Sequence, residues 1–120
     1  MHSPFNAKFG IQVEDLPDGS VALSLPTDPS YENEIGGIHG GVALLLLDGA
    51  MGRAAGLALE PGQLCATIQL AAQFLAAAQG RLRAVGRVVK RGRSVAFVEG
   101  ECTREDGTLV ARAIGSWAIR

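Results

Sequence analysis

A chain of 120 residues with a net charge of −1 has room for one core of ordinary size, and its near-neutral balance argues against a general nucleic-acid binder. Hydrophobic residues make up 48% of it but aromatic ones only 5%, so burial has to come from aliphatic packing and close backbone approach. Cys65 and Cys102 are too sparse to staple a small secreted fold and lack metal-ligand spacing, which reads as buried, inert thiols in a reducing compartment.

The start of the chain lacks a basic region followed by an apolar stretch. The longest charge-free apolar segment, Ile35 to Leu47, is too short to span a bilayer. The expectation is a cytoplasmic protein, folded as a single domain over residues 1–120, with neither nucleic acid nor membrane as a partner. Phe5 to Ile11 reads as a short lead-in or helical turn. Ile11–Glu14 and Ser20–Leu25 flank Pro17-Asp18-Gly19, in which Pro fixes φ and Gly accepts positive φ, so the pair reads as a β-hairpin. Pro26 to Ile38 is rich in Pro, Asp, Asn and Gly and reads as loop.

From Gly40 to about Leu59 runs a long Ala-, Leu- and Gly-rich stretch, unbroken by Pro and ended by Pro61-Gly62. It is apolar nearly all round, the mark of a helix enclosed by protein. Gly49, Gly52 and Gly56 each cost roughly 1 kcal/mol in a helix relative to Ala, which implies close packing against that face. Four strand-like stretches follow near 64–75, 80–90, 93–105 and 108–119, broken at Gln79-Gly80, Gly92 and Asp106-Gly107, the last a strong tight-hairpin signal. The layout is α+β: two strands, one buried helix, then a four-stranded meander, the antiparallel sheet wrapping the helix.

Asp48 is the outlier within that helix. A carboxylate among Leu44-Leu45-Leu46-Leu47 and Gly49-Ala50-Met51 costs several kcal/mol to bury unless it is paired or functional. Two readings stand side by side: a catalytic carboxylate, or a residue at a subunit seam paired with Arg53 or a backbone amide. Gly40-Gly41, directly after His39, opens the helix. Unpaired N–H groups and the positive dipole end could hold an oxyanion there, or the glycines could merely ease the turn into the helix. Eight residues separate Gly40 from Asp48, about 12 Å of helix, so one carbonyl cannot touch both in the same chain. If both act on one substrate, the site is shared across a two-fold dimer with antiparallel helices.

Asn33-Glu34-Ile35-Gly36-Gly37-Ile38-His39-Gly40-Gly41, followed by Asp48 and Gly52, resembles the hotdog-fold thioesterases of the phenylacetate-degradation type, whose pattern is N-x-x-G-x-x-H-G-G and then D-x-x-x-G. The resemblance covers nearly the whole chain, including Pro4-Phe5, Phe9-Gly10-Ile11, the T-x-x-L-x-x-x-F-L of Thr67 to Leu75, and Arg91-Gly92-Arg93-Ser94. It implies a hotdog fold, with an antiparallel sheet of five to six strands around one long central helix. It further implies hydrolysis of aryl- or medium-chain acyl-CoA thioesters in a homodimer, with no metal or cofactor. Whether dimers pair into tetramers, by sheets back to back or by helices facing each other, stays open.

Residue by residue, the resemblance makes Asp48 the general base or nucleophile and the Gly40 amide the group that polarises the thioester carbonyl. Asn33 would hold the thioester or the attacking water, being able both to donate and to accept. Thr67 would orient the water from the same subunit as Asp48, and His39 would brace the loop before the helix, an acid–base role being the lesser reading. Gly41, Lys90, Arg91, Gly92, Arg93 and Ser94 are the expected CoA contacts, Arg91, Arg93 and Ser94 the best of them. Six of the eleven Lys and Arg residues lie between Arg81 and Arg93 with no acid among them, which serves CoA phosphates or a solvated strand face that discourages aggregation. One departure stands out: relatives commonly carry Pro after the Phe-Leu, where this chain reads Phe74-Leu75-Ala76-Ala77-Ala78. A dehydratase reading lacks its D-x-N-P-x-H string. A non-catalytic acyl-CoA-binding module on the same fold is the rival, and a pure assembly scaffold would show no saturable binding.

Overall fold

The computed structural model describes residues 3–120. A short helix α1 (Pro4–Phe9), capped by the Ser3 hydroxyl, leads into the hairpin β1 (Gln12–Asp15) and β2 (Val21–Pro26). The turn between them closes with Gly19 N–H donating to Leu16 O, Gly19 at φ 89°, and the Asp18 carboxylate accepting from Ser20 N–H. A loop containing a 3-10 turn (Pro29–Tyr31) leads to the long helix α2 (Gly40–Leu57), which ends two residues earlier than the sequence suggests. Then come β3 (Cys65–Phe74), β4 (Arg81–Arg91), β5 (Val95–Arg104) and β6 (Leu109–Ile119).

The six strands form one antiparallel sheet in the order β1-β2-β4-β5-β6-β3. The expected four-stranded meander is therefore only three strands long. β3 crosses over to pair with β6, because a strand placed next to β4 would take the edge that β2 already occupies. That crossover leaves β3 at the rim of the sheet, with one edge unpaired.

Helix α2 lies across the sheet on residues spaced by three and four: Ala43, Leu46, Leu47, Ala50, Met51, Ala54 and Ala55 are buried. Gly86 marks the closest approach, since a Cβ there would sit 2.6 Å from Met51 N. Gly49 and Gly52 do admit close neighbours, Leu23 and the Trp117 indole, but nothing lies within 4 Å of a Cβ at Gly56. The helix is not enclosed all round. Gly41, Leu45 and Asp48 form an exposed stripe on the side the sheet does not cover. An apolar composition shows that a face will be covered, and not by which chain.

Candidate active site

The approach to α2 is built by a side-chain cap at each step. Asn33 Oδ1 accepts from the N–H groups of Ile35 (3.0 Å) and Gly37 (3.2 Å), while Asn33 N–H donates to Gly37 O at 2.7 Å. This Asx-type turn, with Gly36 at φ 86°, folds the loop back on itself. The acceptor oxygen of Asn33 is thereby committed. Its carboxamide has only N–H donors left to offer, a narrower role than its residue type allows.

His39 is the N-cap of α2, its Nδ1 accepting from Gly41 N–H at 3.2 Å. Through that bond the imidazole braces the start of the helix. Val42 N–H donates to His39 O, and the Gly41 amide is spent on the imidazole. Among the described residues none accepts a hydrogen bond from Gly40 N–H. The free donor at the helix start is therefore the amide of Gly40, with the Phe74 ring packed alongside: a Cβ at Gly40 would meet Phe74 Cε1 at 3.3 Å.

Gly40 and Asn33 open onto a cavity of about 360 Å³ whose wall includes Ile38, Phe74, Ala77 and Val110 and no charged side chain. Its volume lies in the range of small-molecule sites. Asp48 does not line it.

Asp48 is exposed in the single chain, not buried as its neighbours suggest, because it lies on the open stripe of α2. Thr67, on the helix-facing side of β3, donates from Oγ1 to Asp48 Oδ1 at 3.1 Å. That bond uses the hydroxyl proton and leaves the Thr67 oxygen as an acceptor. Arg53 is not its partner. It forms a two-pronged ion pair with Asp15 on β1, at 2.7 and 2.8 Å, and holds that carboxyl below the usual carboxylate range. The structure thus makes two clusters, Asp48 with Thr67 and Asn33 with Gly40 and His39, and no single chain unites them.

The basic run separates by strand register. Arg81 bonds to Gln12, Arg83 approaches Glu14 at 3.8 Å, and Arg87 pairs with Glu99, so this half ties β4 to β1 across β2 and to its neighbour β5. A register shift between Val88 and Lys90 turns Arg91 to the helix side. There its guanidinium is consumed by Ala58 O, Gly92 O, Arg93 O and Gln63 Oε1, and it ties the end of α2 to the β4–β5 turn. Gly92 N–H is likewise spent, on Val95 O at 2.8 Å. Of the expected CoA contacts only Lys90, Arg93 and Ser94 keep free exposed side chains. Cys102 is fully buried, which pushes its thiol up to about 11, whereas Cys65 is only half-buried, a departure from the expected pair of buried thiols.

The sequence reading missed the Phe74 ring against Gly40 and the tie from Arg104 to Ala77 O at 2.8 Å, which fixes the cavity wall. Both contacts join residues 27 or more positions apart, and no local pattern signals them.

Comparison with known proteins adds the decisive observation. The sequence profile of the thioesterase superfamily matches residues 35–111, most of the chain and both clusters except Asn33. The chain belongs to the thioesterase superfamily. It is by that membership a hydrolase acting on thioester bonds, and its six strands around one helix are the hotdog fold. Among curated relatives, a Saccharolobus solfataricus protein described as a "putative esterase" is 32% identical over 110 residues, 91% of this chain and 78% of its own. Two solved structures superpose closely. One is a Ralstonia eutropha "putative thioesterase, phenylacetic acid degradation-related protein", with a TM-score of 0.88 at 30% identity, covering 98% of this chain and 92% of that one. The other is a Bacillus halodurans protein solved with CoA, with a TM-score of 0.88 at 29% identity, covering all of this chain and 78% of that one.

Proposed function

We propose that this thioesterase hydrolyses acyl-CoA thioesters at a site shared between two chains of a two-fold dimer. Asp48 and Thr67 come from one chain, and Asn33 and the Gly40 amide from the other. The observation that carries this reading is the division of the site: the Asp48–Thr67 pair stands on an uncovered helix face, while the free Gly40 amide opens on a cavity that Asp48 does not reach.

The unpaired edge of β3 supplies the means. Ten residues of Cys65–Phe74, with no charge and no Pro, present open backbone groups that a second copy can pair with. A two-fold axis normal to the sheet keeps both helices on one side and makes them antiparallel. The start of each α2 then faces the middle of its partner, and the partner covers the Leu45–Asp48 stripe.

In such a site the partner's Gly40 amide and the Asn33 N–H groups meet the thioester oxygen, where negative charge develops during attack. A water donates one hydrogen to Asp48 and the other to the accepting oxygen of Thr67, which aims its lone pair at the carbonyl carbon. Asp48 takes the proton as the water attacks, the tetrahedral intermediate collapses, and the CoA thiolate leaves and is protonated. This inventory favours general base over nucleophile, because the Thr67 bond orients the carboxylate for water. The CoA phosphates are neutralised by Lys90 and Arg93 with Ser94 at the β4–β5 turn, and the CoA-bound relative supports this class of ligand. The uncharged, compact cavity fits an aryl or medium-chain acyl group.

For pairing of dimers, the sheet face away from α2 favours a back-to-back arrangement. There Arg87, Glu99, Glu101 and Arg112 form a charge-balanced surface beside exposed Ile114 and Phe97. The function is tested by following CoA release with a chromogenic thiol reagent for the native chain and for Asp48→Asn. Saturable acyl-CoA binding with no turnover above the variant would establish the non-catalytic module instead.

A further inference from the structure

The segment between β3 and β4, Leu75 to Gln79, forms part of the cavity wall without any regular structure. Its middle is Ala76-Ala77-Ala78, three methyl side chains with little to interlock, so the position of the wall depends on where its backbone is tied. Leu75 N–H and Ala76 N–H both donate to Val110 O, at 2.7 and 3.3 Å, and Ile38 N–H donates to Ala78 O at 3.3 Å. The central carbonyl, Ala77 O, receives its bond from outside this frame: Arg104 Nη1 donates to it at 2.8 Å.

Arg104 stands at the end of β5 and is itself anchored. Its Nε donates to both oxygens of Asp106, at 3.0 and 3.1 Å, and Asp106 also accepts from Thr108 N–H at 2.9 Å, so the β5–β6 turn holds the guanidinium in place. The planar fork lets one side chain face a carboxylate and a carbonyl at once, which a lysine ammonium cannot reproduce. The pair stays charged over the working pH range, since the guanidinium holds the Asp106 carboxyl at about 2.

We propose that Arg104, through Ala77 O, is a positioning residue for acyl selectivity: it fixes the wall that decides which acyl groups the cavity accepts, and touches no reacting atom. This rests on the reading of the cavity as the acyl pocket. A role confined to the hairpin would show in stability and leave the ranking of substrates unchanged.

The test compares Arg104→Met, Arg104→Lys and Asp106→Asn with the native chain on a series of acyl-CoA substrates from butyryl to dodecanoyl and benzoyl. Affinities for the matching non-hydrolysable thioether analogues are measured by calorimetry. Asp106→Asn keeps Oδ1, which accepts from both Thr108 N–H and Arg104 Nε, so it removes the charge of the pair while the guanidinium stays anchored and the Ala77 bond is kept. The expected result for Arg104→Met is a change of about tenfold in the ratio of KM values between the best and the longest acyl chains, with kcat for the best substrate within about threefold. Arg104→Lys shifts the same ratio by less, and Asp106→Asn lowers Tm with the ratio unmoved.

An unchanged ratio in both Arg104 variants, or an equal change in Asp106→Asn, overturns the inference. Should Arg104→Met not fold, Arg104→Lys alone decides by the same criterion. Absence of turnover in the native chain would defeat the hydrolase reading separately. The analogue affinities would then decide the present one, which fails if native affinity does not depend on the acyl group or if the Arg104 variants leave its ranking unchanged.

Discussion

Two inactive variants of this protein should restore each other when placed in one dimer. Asp48→Asn removes the proposed base while keeping the shape and the bond from Thr67. Asn33→Asp keeps the oxygen that Ile35 and Gly37 need, so the loop holds, but puts negative charge where the N–H donors stood. Each alone should lower kcat about 10²- to 10³-fold, the usual cost of losing a general base or an oxyanion donor. The geometry sets what the mixture does. A line from the Gly40 amide through the thioester carbonyl and the attacking water to a carboxylate is about 10 Å at full stretch, and the bent approach to a carbonyl shortens it. Gly40 and Asp48 stand about 12 Å apart along one helix, so in the proposed site the two halves come from different chains. Co-expressed with two tags and purified through both under conditions where ultracentrifugation shows dimers alone, every dimer is mixed, with one intact site and one doubly defective site. Thiol release should return to about half of the native rate per dimer. Activity no greater than that of the two single variants would place both halves in one chain and refute the shared site.

Other consequences are open to simpler measurements. His39→Asn supplies another capping side chain and should keep kcat within about threefold, whereas His39→Ala should lose about 1 kcal/mol in urea unfolding together with activity. A large loss in both would make the imidazole an acid–base group. Ile68→Lys places a charge at the exposed irregularity of the β3 edge and should shift the protein toward monomer in analytical ultracentrifugation, with activity falling in parallel. Gly86→Ala drives a methyl into the α2 backbone and should cost about 1–3 kcal/mol, read from the urea midpoint. Asp106, with its carboxyl held at about 2, supports the fold above pH ~4, where the unfolded-chain carboxylate is already ionised. That support should fade as pH falls toward 2, and a carboxyl titration by NMR that follows an unshifted curve would contradict the Arg104 pairing.

The sequence by itself determined the elements, because each follows from local causes. Apolar period, Pro-Gly punctuation and turn dipeptides placed α2 and the six strands within a few residues, and the Asn33-to-Gly52 motif together with Thr67 identified the family and its catalytic candidates. What lay beyond it were pairings between distant residues. The crossover of β3 to β6, the turning of Arg91 away from solvent, the commitment of the Asn33 oxygen to its own loop and the anchoring of Ala77 by Arg104 all depend on sheet register and close packing, which carry no local signature. Asp48 shows the division most plainly. Its misplaced charge marked it as special in the sequence, yet one covered face and one open face on an apolar helix are indistinguishable in composition. Only the folded chain showed the carboxylate on the open side, bonded to Thr67 on a strand with one unpaired edge.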